Sequence, residues 1–330
     1  MTNKENKKYS LLGVYKKAIV TGGGGFIGSN LVESLLEDGL EVISLDDYSV
    51  GKKSNLADVQ KKYGNSLKQI HCDITDEKKT ETYFEGVDIV FHHACSKMTI
   101  CLINPKRDLE VNAVGTFNLL ELAKKYNVKK FVHVSTGSVY GVARKFPTDE
   151  ECSLNPTSYY GVSKLAGEKY VRVFSHLYGM NTSILRYYHV YGSKQDASEF
   201  GGVIGIFCKR ALKNQDLTIY GDGSQIRSFT SVKDIVNINK LIAVKGGVGE
   251  AYNCASGLKI SINEIASKII NFANAKSKIN YKDWKMGDIK NFDVSNEKLL
   301  KLGFKFEYLE FDKALKETFD WYKANINSFN

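Results

Sequence analysis

The sequence predicts an α/β fold, a doubly wound parallel sheet with a smaller C-terminal α/β lobe interleaved with it. Three observations carry that expectation. Short β-branched runs alternate with longer amphipathic stretches, as in a parallel sheet covered by helices. A glycine run, TGGGGFIG, stands between the first such strand and the first helix. Beyond Arg186 the alternation loosens, and glycine turns around 201–202, 221–223 and 246–247 punctuate shorter elements.

Taken in order, residues 1–16 open polar and lysine-rich and are expected to form a flexible arm. Strands are predicted over 18–20, 41–45, 68–72, 88–92, 131–135 and 182–185, from runs such as AIV, EVISL and FVHVS. Between the fourth and fifth, Leu109, Ala113, Phe117 and Leu120 recur every three or four residues, which predicts a helix laying that stripe on the sheet. A long helix is predicted over 158–178. Parallel strands joined by helices need right-handed crossovers, hence the doubly wound order. GEAYNCASG, from Gly249, is expected to return one more strand to the sheet. The expected division is a first lobe over 17–186 plus about 232–256, and a second over 187–231 and 257–330.

Composition bounds the function. The 330 residues contain 43% apolar and 25% charged residues, globular values that argue against disorder, collagen-like repeats and a disulfide-dense mini-domain. The six cysteines form no C-x-x-C pair, and beyond His92, His93 and Cys95 no second group has ligand spacing, so reduced thiols and no metal are expected. LLGVY is too short for a signal-peptide core and no apolar run approaches 18 residues, so no membrane span and a cytoplasmic location are expected. The net charge of +9 comes from scattered pairs such as Lys61-Lys62, Lys78-Lys79 and Lys129-Lys130, which reads as solvated helix faces rather than a nucleic-acid surface.

The glycine run places Gly22, Gly25 and Gly28 as G-x-x-G-x-x-G between a strand and a helix. Such glycines allow a tight turn, close approach of a pyrophosphate and close helix–strand packing, while the helix N-terminus offers free N–H groups to the phosphates. This is a Rossmann-like dinucleotide site. The second strand ends in Asp46-Asp47, where a carboxylate can accept hydrogen bonds from ribose hydroxyls and repels a 2′-phosphate, so NAD is the expected cofactor. Asp46 is favoured as the nearer to the strand end, with Asp47 the alternative. Asp73 and Ile74, after the third strand, are placed to flank the adenine.

Tyr160 and Lys164 stand four apart, which puts phenol and ammonium on one helical face. A tyrosine ionises near pH 10, so general-base work near neutrality requires about 4 kcal/mol of preferential stabilisation of phenolate. A fixed ammonium and a positively charged nicotinamide can supply it. Thr136 ends the fifth strand, where the carboxyl ends of such sheets build their sites, and its hydroxyl can hold the oxygen that Tyr160 deprotonates.

With TGGGGFIGSNLVE, CDITD, FHHACSK, VNAVGTFNLLELA, VHVSTGSVYG, PTSYYGVSKLAGE, LRYYHVYG, LTIYGDGSQIRSF and KMGD in this order, the chain resembles an extended short-chain dehydrogenase/reductase of the nucleotide-sugar epimerase/dehydratase group. Its pattern is closest to UDP-glucose 4-epimerase-like members, over about residues 17 to 304. The resemblance implies Tyr160 as base, Lys164 as its electrostatic partner and a ribose ligand, and Thr136 beside the reacting oxygen. It implies Phe26 and Ile27 in the pyrophosphate loop, Lys97 and Asn112 facing the cofactor, and Tyr187 near the nicotinamide. In the second lobe it implies Val203 and Tyr220 around the nucleotide base and Arg227 on the diphosphate, a task that suits the planar guanidinium fork. It also implies a homodimer through two helices of the first lobe.

Departures bear on the substrate. His189 replaces the family's amide on the diphosphate side, so a pH-dependent contact is expected there. Lys285 replaces the arginine of an R-x-G-D motif that ends in Asp288, Gly205 stands where proline is common, and Ser228 where an aspartate is usual. Family 4,6-dehydratases carry two carboxylates after Thr136, and decarboxylases a glutamate at the second of these positions; here they are Gly137 and Ser138. That leaves hydride and hydroxyl-proton transfer, which suffices for an NAD-dependent 4-epimerase of a UDP-hexose. Ser138 then contacts substrate, and Phe292 is a candidate wall against an N-acetyl group. The alternatives are a dehydratase, a UDP-glucuronate epimerase or decarboxylase, a 4-ketosugar reductase, or a catalytically silent NAD-binding protein.

Overall fold

The computed structural model describes residues 8–96, 101–198, 201–284 and 293–329. The chain opens with β1 (Lys17–Thr21), α1 (Phe26–Glu37), β2 (Glu41–Asp46), α2 (Ala57–Tyr63), β3 (Leu67–His71), α3 (Glu77–Glu81) and β4 (Ile89–His92). α4 (Pro105–Leu109) runs through a π-helical turn, Glu110–Gly115, into α5 (Thr116–Lys125), and then come β5 (Lys130–Thr136), α6 (Tyr159–Tyr178) and β6 (Thr182–Tyr187). β7 (His189–Tyr191), α7 (Val203–Leu212), β8 (Leu217–Tyr220) and β9 (Ile226–Ser231) build toward the second lobe, from which α8 (Val232–Lys245) and β10 (Glu250–Cys254) return. β11 (Lys259–Ser261), α9 (Ile262–Ala273), β12 (Ile279–Lys282), α10 (Glu297–Lys301) and α11 (Phe311–Ala324) complete the chain.

Seven strands form one parallel sheet in the order β10-β6-β5-β4-β1-β2-β3. The fold is therefore the expected Rossmann-like doubly wound one, with its reversal of strand order between β1 and β4, where ligands bind in such sheets. Alternation along each strand divides the core. Ala18, Val20, Val42, Phe91, Val132 and Leu185 face one way, onto α1 and α8, while Ile19, Ile43, Val90, Phe131 and Ile184 face the other, onto α5 and α6. A separate cluster, including Phe207, Ile219, Phe229, Ile265, Leu315 and Phe319, forms the core of the second lobe.

Two expectations are corrected. Of the predicted stripe, Ala113 and Leu120 are buried, but Leu109 and Phe117 are 52% and 38% exposed. The π turn inserts a residue between them and rotates the rest of the helix by about 100°, so one continuous helical period does not describe the segment. The face laid on the sheet is Val111, Leu119, Leu120, Leu122 and Ala123. The N-terminal arm is likewise docked where it is described. Leu11 is fully buried, its N–H donates to Asp38 at 2.8 Å, the Tyr15 hydroxyl donates to the Ala243 carbonyl at 2.7 Å, and Tyr9 stacks on Phe304. Burying Tyr9 and Leu11 offsets the entropy of ordering the arm.

Candidate active site

A cavity of about 430 Å³ opens at the carboxyl ends of the strands. Its wall includes Gly22, Gly25, Phe26, Ile27, Gly28, Asp46, Asp73, Ile74, Thr136, Tyr160 and Tyr187 from the sequence-derived set, so the fold gathers into one site residues spread over 166 positions, from 22 to 187.

The three glycines of the loop serve different needs. Gly22 has φ +68°, and a Cβ there would lie 2.8 Å from the Ala94 nitrogen; one on Gly28 would lie 2.2 Å from the Gly22 carbonyl oxygen. Both positions are closed by packing. A Cβ on Gly25 would meet only the Gly22 oxygen, at 3.1 Å, so the middle glycine keeps its open side to the cavity. Gly25 also caps α1 without any side-chain hydrogen bond, which leaves first-turn N–H groups to a ligand. This is a cradle for a pyrophosphate.

At the other end of the loop, Asp46 is 6% exposed and accepts the N–H groups of Gly24 at 2.9 Å and Tyr48 at 2.7 Å. Burial pushes its carboxyl up despite these bonds. Asp47 faces the cavity more openly and meets Arg107 at 3.3 Å, and Arg107 also donates to Asp73 at 2.6 Å. Burial works to raise Asp73, but the Thr75 and Arg107 hydrogen bonds together hold its carboxyl below the usual range. Arg107 escaped sequence reasoning. Asn104 and Pro105 announce the start of α4, but nothing in linear spacing tells that the helix carries a cation to the ends of β2 and β3.

The Thr136–Tyr160–Lys164 group forms where β5 ends and α6 begins. Ser158 caps α6 by accepting the Gly161 N–H at 3.1 Å, which fixes the first helical turn and Tyr160 with it. Thr136 shares the cavity wall with Tyr160, and its hydroxyl donates to Ser138 Oγ at 3.3 Å. Lys164, one helical turn beyond Tyr160, is 1% exposed. In the chain alone burial dominates both. It raises the Tyr160 phenol well above its ordinary value, with Cys95 and Asp108 adding to the effect, and lowers the Lys164 ammonium. The expected lowering of Tyr160 is thus corrected: in the chain alone burial sets the direction, and it is upward. Asn112 is fully buried behind the cavity rather than in its wall. From the π turn it accepts the Ser96 N–H at 3.0 Å and donates to Asp108 and Ser163, tying the β4 loop to α6.

His93 and Tyr188 also line the cavity. The Asn239 amide donates to the Ile235 carbonyl at 2.8 Å and the Tyr187 hydroxyl at 2.5 Å, so its oxygen faces His93 at 3.2 Å and His93 Nε2 carries the proton. Burial pushes His93 down to about 3, so it stays neutral and helps set the Tyr187 ring.

The second-lobe residues stand apart from this wall. His189 is on β7 and Arg227 on β9, strands that pair in parallel; Val203 begins α7 and Tyr220 ends β8. Burial, with the Arg227 charge, pushes His189 down to about 3. The expected pH-dependent contact is corrected accordingly: in the chain alone His189 remains neutral across the physiological range. Gly205 is explained by Tyr322, whose hydroxyl would lie 2.6 Å from a Cβ there while donating to the Gln195 carbonyl. Ser228 is 3% exposed and accepts the Gly257 N–H at 3.3 Å. Lys97, Lys285, Asp288 and Phe292 lie outside the described residues. Among the described residues no His, Cys, Asp and Glu side chains group as a metal site, and no helix is long and apolar enough to cross a membrane.

A family model described as the NAD dependent epimerase/dehydratase family matches residues 18–255. The chain is 33% identical over 283 residues to a UDP-glucose 4-epimerase of Mycolicibacterium smegmatis, covering 85% of this chain and 90% of that one. It matches the crystal structure of UDP-glucose 4-epimerase with UDP-glucose from Thermotoga maritima with a TM-score of 0.88 and 33% identity, over 94% and 99% of the two chains. A dTDP-glucose 4,6-dehydratase from Streptomyces venezuelae with NAD bound gives the same TM-score at 29% identity, over 95% and 99%. The open Gly25 side, the uncapped start of α1 and the carboxylates beyond them fit a dinucleotide, and the chain belongs to the NAD-dependent epimerase/dehydratase family, with NAD as its cofactor.

Proposed function

We propose that this chain is a nucleotide-sugar 4-epimerase acting on a UDP-hexose. The observation that carries the reading is that Thr136 and Tyr160 share one cavity wall, with Lys164 buried one helical turn beyond Tyr160 and with Gly137 and Ser138 following Thr136 where dehydration would need a carboxylate. Held by the Gly22–Gly28 loop and the carboxylates at the ends of β2 and β3, NAD would supply reversible hydride acceptance at C4 of the sugar. Tyr160 Oη removes the proton of the 4-hydroxyl and returns it to the same oxygen after the sugar has turned. Thr136 Oγ1 holds that oxygen, and the Lys164 ammonium stabilises the phenolate. Arg227 anchors the diphosphate, and Val203 and Tyr220 hold the base while the sugar rotates. Lys97 joins the cofactor contacts, and Lys285 and Asp288 those of the substrate. The similarity to the UDP-glucose 4-epimerase from M. smegmatis supports the reading.

Tyr160→Phe should lower turnover by about three orders of magnitude, the scale of a lost general base, while NAD still copurifies. Turnover is read by NMR as inversion at C4 over a panel of UDP-, dTDP-, GDP- and CDP-sugars. Near-wild-type turnover of the variant removes Tyr160 from the mechanism, and net consumption of NAD replaces the epimerase by a reductase.

We also propose a homodimer working in the cytoplasm. Tyr159, Val162, Tyr170, Val173 and Leu177 are exposed at helical spacing along α6, next to Val114 and Phe117, an apolar face that a second copy would bury. Light scattering should give twice the mass of the 37.0 kDa chain, reduced to one by Val173→Glu with Leu177→Glu.

A further inference from the structure

Residues 137 and 138 directly follow Thr136, the positions at which the resembling dehydratases carry their two carboxylates. They open a 3-10 turn, Gly137–Tyr140, immediately after β5. A Cβ on Gly137 would lie 2.4 Å from Tyr188 Cε1 and 2.8 Å from both Cδ1 and Cζ, inside the ring's van der Waals envelope. The ring therefore occupies the volume that any side chain at 137 requires. It also forms wall of both the large cavity and a small side pocket of about 50 Å³ that Gly137, Tyr140 and Val294 help line.

Tyr188 is pinned. Its hydroxyl donates to Asn253 Oδ1 at 3.2 Å, and the Tyr140 hydroxyl donates to the same oxygen at 2.9 Å. The Asn253 amide nitrogen is committed to the carbonyls of Thr148 and Ser295, which fixes which end of the amide faces the tyrosines. The Tyr140 hydroxyl in turn accepts from Arg186 at 2.7 Å, and Arg186 is locked to Glu168. Moving the ring out of the way of a new side chain would break this buried network or push the ring into the cavity.

We propose that Tyr188 is a specificity-determining residue: by filling the space beside Gly137 it keeps a proton-transferring carboxylate out of the first of the two positions after Thr136. This rests on the 4-epimerase reading above. A carboxylate there would take the C5 proton of a 4-keto sugar and return one from solvent, an exchange that leaves the carbon skeleton unchanged and needs no further reagent.

The test compares wild type, Gly137→Asp and the double variant Gly137→Asp with Tyr188→Ser, reading copurified NAD, C4 inversion of the accepted sugar nucleotide and deuterium incorporation at C5 in heavy water. Gly137→Asp alone should lose NAD and cut turnover by roughly 100-fold, the scale of an overpacked site. The double variant should keep NAD within about 2-fold of wild type and incorporate deuterium at C5, which wild type does not. The proposal is overturned if Gly137→Asp alone keeps NAD and turnover within about 3-fold of wild type, or if the double variant does no better than the single one. It is also overturned if the double variant regains NAD without exchange at C5. A wild-type protein that makes a 4-keto-6-deoxy sugar overturns the reaction assignment itself, a result read on the unmutated chain and so distinct from the variant outcomes.

Discussion

Lys130, at the start of β5, is 1% exposed and donates to Asn181, Ser183 and the Gly246 carbonyl, each within 2.9 Å. All three acceptors are neutral, so burial is uncompensated by an anion and pushes the ammonium down to about 8. The folded value lies below the unfolded one of about 10.4, so the unfolded chain binds more protons between them. Stability contributed by this residue therefore rises as pH climbs from about 8 to about 10, by at most about 3 kcal/mol, and is constant below that window. Denaturant titrations at pH 7 and pH 10 should show that gain in wild type relative to Lys130→Met; equal slopes for the two proteins would mean that Lys130 keeps its ordinary ionisation. Tyr160 belongs to the same scale. Its phenol is raised by burial in the chain alone, so in the NAD-free protein the difference in phenolate absorbance between wild type and Tyr160→Phe should emerge only after the exposed tyrosines have ionised.

Between elements, α6 and β6 are joined by a buried ion pair. Arg186 donates to both Glu168 oxygens, at 3.0 and 2.7 Å, and the two side chains are 1% and 0% exposed. Such a pair gains little over apolar packing, because desolvating both charges offsets their attraction, but one charge left alone is costly. Glu168→Gln should destabilise the chain by about 3–5 kcal/mol in denaturant unfolding. Replacing both residues by Met should cost less than that single change, and a double variant at least as unstable as the single one would refute the reasoning. The π turn before α5 acts at this scale too. A stripe from Leu109 to Leu120 assumes one helical period, and a local insertion that carries Asn112 breaks it. The apolar residues it turns outward are among those proposed to meet a second copy.

For the whole molecule, the N-terminal arm meets the segment between α10 and α11. The arm expected to be flexible runs Tyr9 onto Phe304, and the Tyr9 hydroxyl accepts the Lys305 N–H at 3.2 Å. Leu11→Ala should then lower stability by about 2–4 kcal/mol, as a core leucine would, and be seen as a lower melting midpoint. An unchanged midpoint would return the arm to the solvated state that its lysine-rich composition suggests. The second lobe has its own core, yet β7 follows directly from β6 of the large sheet and β10 returns to that sheet, so the two lobes share backbone rather than a hinge linker.

By itself the sequence determined the strand runs, the glycine cradle and the Tyr160–Lys164 helical pair, because each depends on spacing within one strand, turn or helix, and the alternation of strands and helices predicted the doubly wound sheet. Gly22, Gly25 and Gly28 are legible as a motif, since a tight turn and a helix start constrain neighbouring residues only. The tertiary structure alone decided the rest. Arg107 reaches Asp47 and Asp73 from 60 and 34 residues away, Tyr188 fills the space beside Gly137 from 51 positions further on, and burial rather than a neighbouring lysine governs Tyr160. Steric exclusion and desolvation depend on what the folded chain packs around a group, and no local spacing in the sequence carries that information.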